Sequence, residues 1–363
     1  MIKDWQSYNP VKIISGVGCI NKLNTLVETG NWLLVTSPGF TKRGYPEQLK
    51  SKLSNINLFV FDKVSPNPEL EELESMTNFY RNKSIIGIIA LGGGSALDAA
   101  KVLSVTLCSS LDKPLTKTLR ESKPYKWERK LHLIAIPTTS GTGAEVTPFA
   151  TVWDKPYNRK YSVVGDDVFP DVALMDPELS LTLPDFETLY TGLDSISHAL
   201  ESLWNISRSP ISESLAVQSL ELSLSTLPST QTCILNIEER AKLQQASLLS
   251  GLAISQTRTA IAHSISYPLT SHYNVPHGIA CSFTLPAIID MYLIFNPNEN
   301  NKKLFLRAKD AINSFDLSSI LKNYVTEKEI ISKLSEMFHP DRAGNYTGIL
   351  NQEFVEEIIK KSL

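Results

Sequence analysis

An α/β amino-terminal domain built on a parallel sheet, residues 1–183, followed by an all-α domain, residues 184–363, is the architecture this sequence predicts. Three observations predict it. Short, nearly all-apolar, β-branched runs alternate with stretches of helical period in the first half, the pattern of strands covered on both faces and joined by helical crossovers. Beyond Leu183-Pro184 the apolar period becomes almost continuously helical. Two turns dense in glycine and hydroxyl residues each follow a strand candidate, as in open parallel sheets that bind ligands past their strand ends.

In order, the strands are Trp32–Thr36 (WLLVT), Leu58–Phe61, Ile85–Leu91, Leu131–Ile136 and Val172–Met175, with crossover helices at Glu69–Arg81 and Ala96–Leu107. The helical half reads as Phe186–Trp204, Ser212–Ser225, Ile237–Ile254, Ile279–Tyr292, Lys303–Phe315, Glu327–Phe338 and Asn351–Lys361, punctuated by Pro, Asn or Ser.

With 42% hydrophobic and 20% charged residues over 363 positions, the chain can bury two cores and shows no compositional sign of disorder. A net charge of −3 argues against a phosphate-tracking surface, so no nucleic-acid partner is expected. The one basic run, seven Lys/Arg against two Glu between Lys113 and Lys130, reads as a solvated loop face. The start, MIKDWQSYNP, lacks the apolar core of a secretory signal, and no later segment reads as long enough to span a bilayer; no membrane partner and a cytoplasmic location are expected. Cys19, Cys108, Cys233 and Cys281 have no CxxC or CxH spacing and read as reduced core or near-surface thiols, neither disulfides nor a cysteine zinc site.

Ile85–Leu91 runs into Gly92-Gly93-Gly94-Ser95 and a helix with Asp98 in its first turn. Glycines let backbone N–H groups approach an anion and the helix amino terminus adds favourable potential, so this turn suits a pyrophosphate, although GxGxxG is absent. After Leu131–Ile136 come Thr138, Thr139, Ser140, Gly141, Thr142 and Gly143, whose hydroxyls can donate to phosphate or ribose oxygens.

In LDSISHAL, Asp194 and His198 stand about one helical turn apart, so their side chains can converge on a metal ion or simply on each other. Of the six histidines, His263 (TAIAHSISYPL) and His277 (NVPHGIACSFTLP) follow in the same half. Three imidazoles and a carboxylate would make a mixed N/O shell suited to Fe2+ or Zn2+, with a position left for a substrate oxygen.

Together, GGGSALDAAK, PTTSGTGAEVTPFATV, Asp176-Pro177, TGLDSISHALE and HSISYPL with HYNVPHG resemble the successive blocks of the iron-dependent alcohol dehydrogenases, collinearly from about Gly16 to Pro286. The resemblance implies a dinucleotide-binding domain followed by a helical metal-binding domain, the dehydroquinate synthase-like fold. It implies Asp194, His198, His263 and His277 as ligands of Fe2+, or Zn2+, and NADPH or NADH as cofactor. Ser37, Gly92, Gly93, Gly94, Ser95, Asp98, Thr138, Thr139, Ser140, Thr142 and Lys160 are the expected cofactor contacts, and a homodimer is the assembly expected. Two departures matter. Tyr267 stands where many members have a second, proton-relaying histidine; a phenol titrates far higher than an imidazole, which leaves Tyr267, water or a cofactor ribose hydroxyl to move the proton. Ser37 stands where NAD-preferring members tend to have an aspartate, with Lys42 and Arg43 close behind, and this favours the 2′-phosphate of NADPH.

Arg258, five residues before His263, suggests an anionic substrate head group, its alternative being an ion pair with a helix carboxylate. TRTAIAHSISYPL, HYNVPHG and CSFTLP are most similar to the phosphonoacetaldehyde reductase branch, which implies reduction of phosphonoacetaldehyde to 2-hydroxyethylphosphonate; Arg159 and Lys160 are further candidates for an anion. The alternatives are another small alcohol, aldehyde or diol, a dehydroquinate synthase-type lyase, which would need a Glu ligand, and a non-enzymatic nucleotide-binding protein. Glu201 and Asp98 support a site or serve structure alone; the sequence leaves both open.

Overall fold

The computed structural model describes residues 4–123, 125–127, 129–157, 159–227, 235–338 and 340–363; Cys233 and His339 lie outside them. The chain forms two compact units, one of residues 10–139 and 144–180, the other of residues 1–9, 140–143 and 181–363.

The first unit contains β1 (Lys12–Ser15), β2 (Gly30–Thr36), α1 (Pro38–Lys42), α2 (Tyr45–Lys52), β3 (Ile56–Phe61), α3 (Leu70–Tyr80), β4 (Ile85–Gly92), α4 (Gly94–Thr106), β5 (His132–Pro137), β6 (Phe149–Asp154), β7 (Arg159–Val164) and β8 (Val172–Met175). Among the described residues, six strands pair in parallel in the order β1-β8-β5-β4-β2-β3. The strand pleat sends Leu33, Val35, Ile88, Ala90, Leu133 and Ala135 into one core, with Leu70, Leu73 and Leu97 from α3 and α4. The alternate residues Trp32, Leu34, Ile89, Leu91, Ile134 and Ile136 enter a second core with Leu49 of α2. Strands buried on both faces explain why the runs carry almost no polar residue.

All five expected strands are present, shifted by one or two residues at some ends. Three were not expected. β1 is an edge strand, mostly exposed, and has no apolar run to betray it. β6 and β7 form an antiparallel ribbon, Phe149 opposite Val164 and Asp154 opposite Arg159, outside the parallel sheet.

The second unit contains α5 (Asp185–Leu203), α6 (Pro210–Thr226), α7 (Ile237–Thr257), α8 (Ile261–Tyr273), α9 (His277–Ser282), α10 (Leu285–Phe295), α11 (Lys302–Asn313), α12 (Leu317–Leu321), α13 (Glu327–Ser332), α14 (Pro340–Ala343) and α15 (Gln352–Ser362). Their apolar faces meet in one core around Trp204 and Phe305, whose rings stack at 5.8 Å. Side chains cap several amino termini: the Asn236 carbonyl oxygen accepts the N–H groups of Glu238 and Glu239 at the start of α7.

Three expectations need correction. The helix predicted over Ile279–Tyr292 is two helices, because Pro286 fits the first turn of α10 but has no N–H to continue a helix arriving from α9. α8 escaped prediction because Pro268 interrupts its sequence pattern; the helix accommodates it. The apolar run His277–Phe295 does reach the length of a membrane span, but most of it is buried in this unit's core, which accounts for its apolarity.

Candidate metal centre

One carboxylate oxygen organises the site. Asp194 and His198 lie one turn apart on α5, each less than 10% exposed, and His198 Nε2 approaches Asp194 Oδ1 to 3.5 Å. His263, in the first turn of α8, places its Nε2 3.3 Å from the same oxygen, and His277, the first residue of α9, places its Nε2 at 3.7 Å. The His198 and His263 rings stack nearly parallel with centroids 4.7 Å apart.

Each ring is held from behind. Glu201, fully buried, caps α8: its Oε1 accepts the N–H groups of Ala262 (2.7 Å) and His263 (3.2 Å), while Oε2 lies 2.6 Å from His263 Nδ1. A carboxylate at that distance keeps a proton on Nδ1, so Nε2, which faces Asp194, is the nitrogen that can bind an ion once it gives up its own proton. His198 Nδ1 lies 3.2 Å from the Gly141 carbonyl oxygen, with the same consequence. Gly278 sets the approach of α9 to α5, since a Cβ there would lie 1.8 Å from the Tyr190 carbonyl oxygen.

These residues fit a divalent cation. Four donors about 2.1 Å from one ion at tetrahedral angles lie about 3.4 Å apart, and the three nitrogen–oxygen distances bracket that value. Two buried carboxylates beside three imidazoles leave a charge of −2 when the rings are neutral. Burial opposes ionisation of Asp194, but the three imidazoles overcome it and hold its carboxyl well below the usual range. Burial likewise opposes a charge on His263, yet Glu201 and Asp194 raise it to about 9; burial pushes His198 down. The sharing of positive charge around one carboxylate is what a metal ion would take over. His277 is 39% exposed where the other three are nearly enclosed, so the cluster is open on its side.

Cys281 enters this cluster. It sits one turn after His277, fully buried, with Sγ 3.6 Å from Asp194 Oδ1, and the ligand atoms of Asp194, His263, His277 and Cys281 all lie within 4.8 Å of one another. Reading the cysteines for Cys–Cys spacing overlooked it; the spacing that singled out Asp194 and His198 recurs in His277 and Cys281.

In the sheet unit, most of the expected cofactor residues gather at the carboxyl ends of β2, β4 and β5, adjacent strands, while Asp98 lies within α4 and Lys160 on β7 of the antiparallel ribbon. Ser37 follows β2 as the amino-terminal cap of α1, and Gly92, Gly93, Gly94 and Ser95 connect β4 to α4. Thr138 donates its N–H to the Gly92 carbonyl, with Thr139 beside it. A Cβ on Gly92 would lie 2.7 Å from that of Ala96, so the strand-to-helix turn is tight. Asp98 accepts the Thr151 N–H at 2.9 Å, and its charge is felt by Lys101 and Lys160. Ser140 and Thr142 belong to the helical unit, on either side of the glycine that faces His198.

The chain matches the iron-containing alcohol dehydrogenase family over residues 10–177 and the carboxyl-terminal domain of that family over residues 188–360. It belongs to the iron-containing alcohol dehydrogenases. Among members, it is 29% identical to a sulfoacetaldehyde reductase of Bilophila wadsworthia, over 89% of both chains. It is 33% identical to an aldehyde-alcohol dehydrogenase of Streptococcus pneumoniae over 71% of this chain, but spans only 30% of that protein. The crystal structure of a sulfoacetaldehyde reductase from Bifidobacterium kashiwanohense in complex with NAD+ superposes with a TM-score of 0.88 at 27% identity, covering 99% of this chain and 98% of that one.

Two further residues singled out in the sequence have defined places. Tyr267 lies one turn after His263 on α8, partly buried. Arg258 ends α7 with φ 62° and ψ 179°, backbone that side chains rarely adopt, while Thr257 and Asn205 donate to its carbonyl oxygen. Arg258 is exposed and makes no ion pair among the described residues, so the alternative of a helix-carboxylate partner is not met there.

Proposed function

We propose that this iron-type alcohol dehydrogenase is an NAD(P)H-dependent reductase of a small anionic aldehyde, with phosphonoacetaldehyde as substrate and 2-hydroxyethylphosphonate as product. The observation that carries the reading is the convergence of three imidazole nitrogens from α5, α8 and α9 on one buried carboxylate oxygen. Asp194, His198, His263 and His277 are the metal ligands in this reading. An ion held by these four ligands, Fe2+ or a Zn2+ seated on the same set, would supply Lewis acidity toward a carbonyl oxygen, and the nicotinamide would supply hydride.

The chain's own residues do the rest. Asp194 cancels part of the ionic charge, Glu201 and the Gly141 carbonyl hold two rings in the ligating tautomer, and the exposed edge at His277 gives the substrate its way in. The phenol of Tyr267 is the chain's own candidate proton donor near His263, and water or a ribose hydroxyl its substitutes. Arg258 is the anion anchor: its strained backbone is a cost, and its exposed guanidinium is left available to an anion. The 29% identity to a sulfoacetaldehyde reductase, whose substrate is another aldehyde with an anionic head, supports the substrate class. Ser37, with exposed Lys42 and Arg43 following, supports NADPH; Arg43 packs over the Phe40 ring at 4.2 Å, so its charge is presented on a fixed platform.

The test is nicotinamide oxidation followed by absorbance, with NADPH and NADH, on phosphonoacetaldehyde, sulfoacetaldehyde, uncharged aldehydes and 1,2-diols. A kcat/KM highest for phosphonoacetaldehyde supports the reading; a preference for uncharged aldehydes or diols makes the protein a general alcohol dehydrogenase and removes the role given to Arg258.

A further inference from the structure

We infer that Cys281 is a conditional metal ligand: over a thiophilic ion such as Zn2+ it completes a closed four-donor shell with Asp194, His263 and His277, which excludes a substrate oxygen. This rests on the metal-centre reading above and adds to it a donor outside the Asp/His set.

The distances carry the inference. A tetrahedral ion with oxygen about 2.1 Å and sulfur about 2.3 Å away sets those two donors about 3.6 Å apart. Cys281 Sγ lies 3.6 Å from Asp194 Oδ1, and His263 and His277 Nε2 lie 3.3 and 3.7 Å from that oxygen. His198 is outside the quartet whose ligand atoms lie mutually within 4.8 Å, although its Nε2 also approaches Asp194. Four donors thus surround one carboxylate oxygen that is itself a fifth, and two overlapping sets of four, each containing Asp194, can be drawn from them. The nitrogen–oxygen set contains His198; the other exchanges it for a thiol.

Which set engages follows from ligand softness. Thiolate favours Zn2+, Co2+ and Cd2+ over harder ions, and Zn2+ settles readily in four-coordinate shells. On binding, the Cys281 S–H bond breaks, the sulfur electron pair forms the bond to the ion, and the proton passes to bulk water; no electron is transferred and no co-reactant is needed. The sulfur is placed for this: it is fully buried, on the same helix face as His277, with the Gly278 carbonyl oxygen at 3.5 Å, the Ser282 hydroxyl at 3.8 Å and Asp194 as polar neighbours. The chain would then bind zinc into a closed centre while Fe2+ takes the set that leaves room for substrate.

The experiment loads the full chain with Co2+, a thiophilic ion with a visible spectrum, and repeats it with Cys281→Ser. Expected for the parent protein is an intense near-ultraviolet sulfur-to-cobalt charge-transfer band alongside d–d bands; Cys281→Ser keeps d–d bands, since the Asp and His donors remain, and loses the charge-transfer band. Competition against a chromophoric chelator should show Zn2+ bound about tenfold or more weakly by Cys281→Ser, with Fe2+ affinity changed less than about twofold. Identical spectra for the two proteins, or d–d bands without charge transfer in the parent, overturn the role of Cys281 and leave the Asp/His centre standing. A parent protein that binds no Co2+ at all overturns both.

Discussion

Replacing Glu201 separates two tasks that its carboxylate performs at once. Oε1 caps α8 by accepting two backbone N–H groups, and Oε2 accepts the Nδ1 proton of His263, all without solvent exposure. Glu201→Ala leaves three buried donors without an acceptor; at about 1–3 kcal/mol each, with relaxation around the cavity, the loss is about 4 kcal/mol of unfolding free energy. Glu201→Gln is nearly isosteric. Its carbonyl still accepts from the backbone, but its NH2 faces Nδ1, making that nitrogen an acceptor and moving the ring proton to Nε2, where it points at Asp194. This variant should lose only about 1 kcal/mol of stability while binding a divalent ion about 10–100-fold more weakly. Urea unfolding measured beside calorimetric metal titration at one pH separates the two effects. Undiminished metal affinity in Glu201→Gln would refute the tautomer argument, and a fully stable Glu201→Ala would refute the capping argument.

Arg258→Gly should relieve backbone strain and raise stability by about 1 kcal/mol, yet lower kcat/KM for phosphonoacetaldehyde about tenfold or more with little change for an uncharged aldehyde; equal losses on both substrates would show that the guanidinium is no anion anchor. Ser37→Asp puts a negative charge where the 2′-phosphate is expected and should swing the NADPH-to-NADH ratio of kcat/KM toward NADH about tenfold or more; an unchanged ratio would place the discrimination elsewhere. Glu299 shows the acid limb: burial opposes its charge, but Arg208, the Asn301 N–H and the Tyr292 hydroxyl hold it near about 2 against an ordinary 4.5. Because the folded value lies below the unfolded one, this stabilisation is complete above about pH 4.5 and is lost as pH falls toward about 2. Urea unfolding at stepwise lower pH should therefore lose on the order of 2 kcal/mol more in the parent than in Glu299→Gln, since partial exposure of Arg208 screens the pair.

The strands that bury both faces, and the helices with a regular apolar period, were legible from residue type alone, since their burial is written into a local pattern: WLLVT and IIGIIALG have almost nothing polar to send to solvent. The edge strand β1 and the β6–β7 ribbon were not, because half-exposed pairing imposes no comparable apolar run. The one-turn spacing of Asp194 and His198 was legible too, as was the strand-to-glycine-turn sequence after β4.

What no local pattern contains is the meeting of residues far apart in the chain. His263 and His277 reach Asp194 only because three helices pack in one core and Gly278 lets α9 lie against the backbone of α5. Glu201 was ambiguous in the sequence; the fold turned it into the cap of α8 and the partner of His263 Nδ1. The same packing brought Cys281, read as a reduced core or near-surface thiol, to within 3.6 Å of the carboxylate at the centre. Sequence determined which side chains share a helix face, because helical geometry is local; which faces share a metal-sized space was decided by packing, where a single Cβ on Gly278 is enough to prevent it.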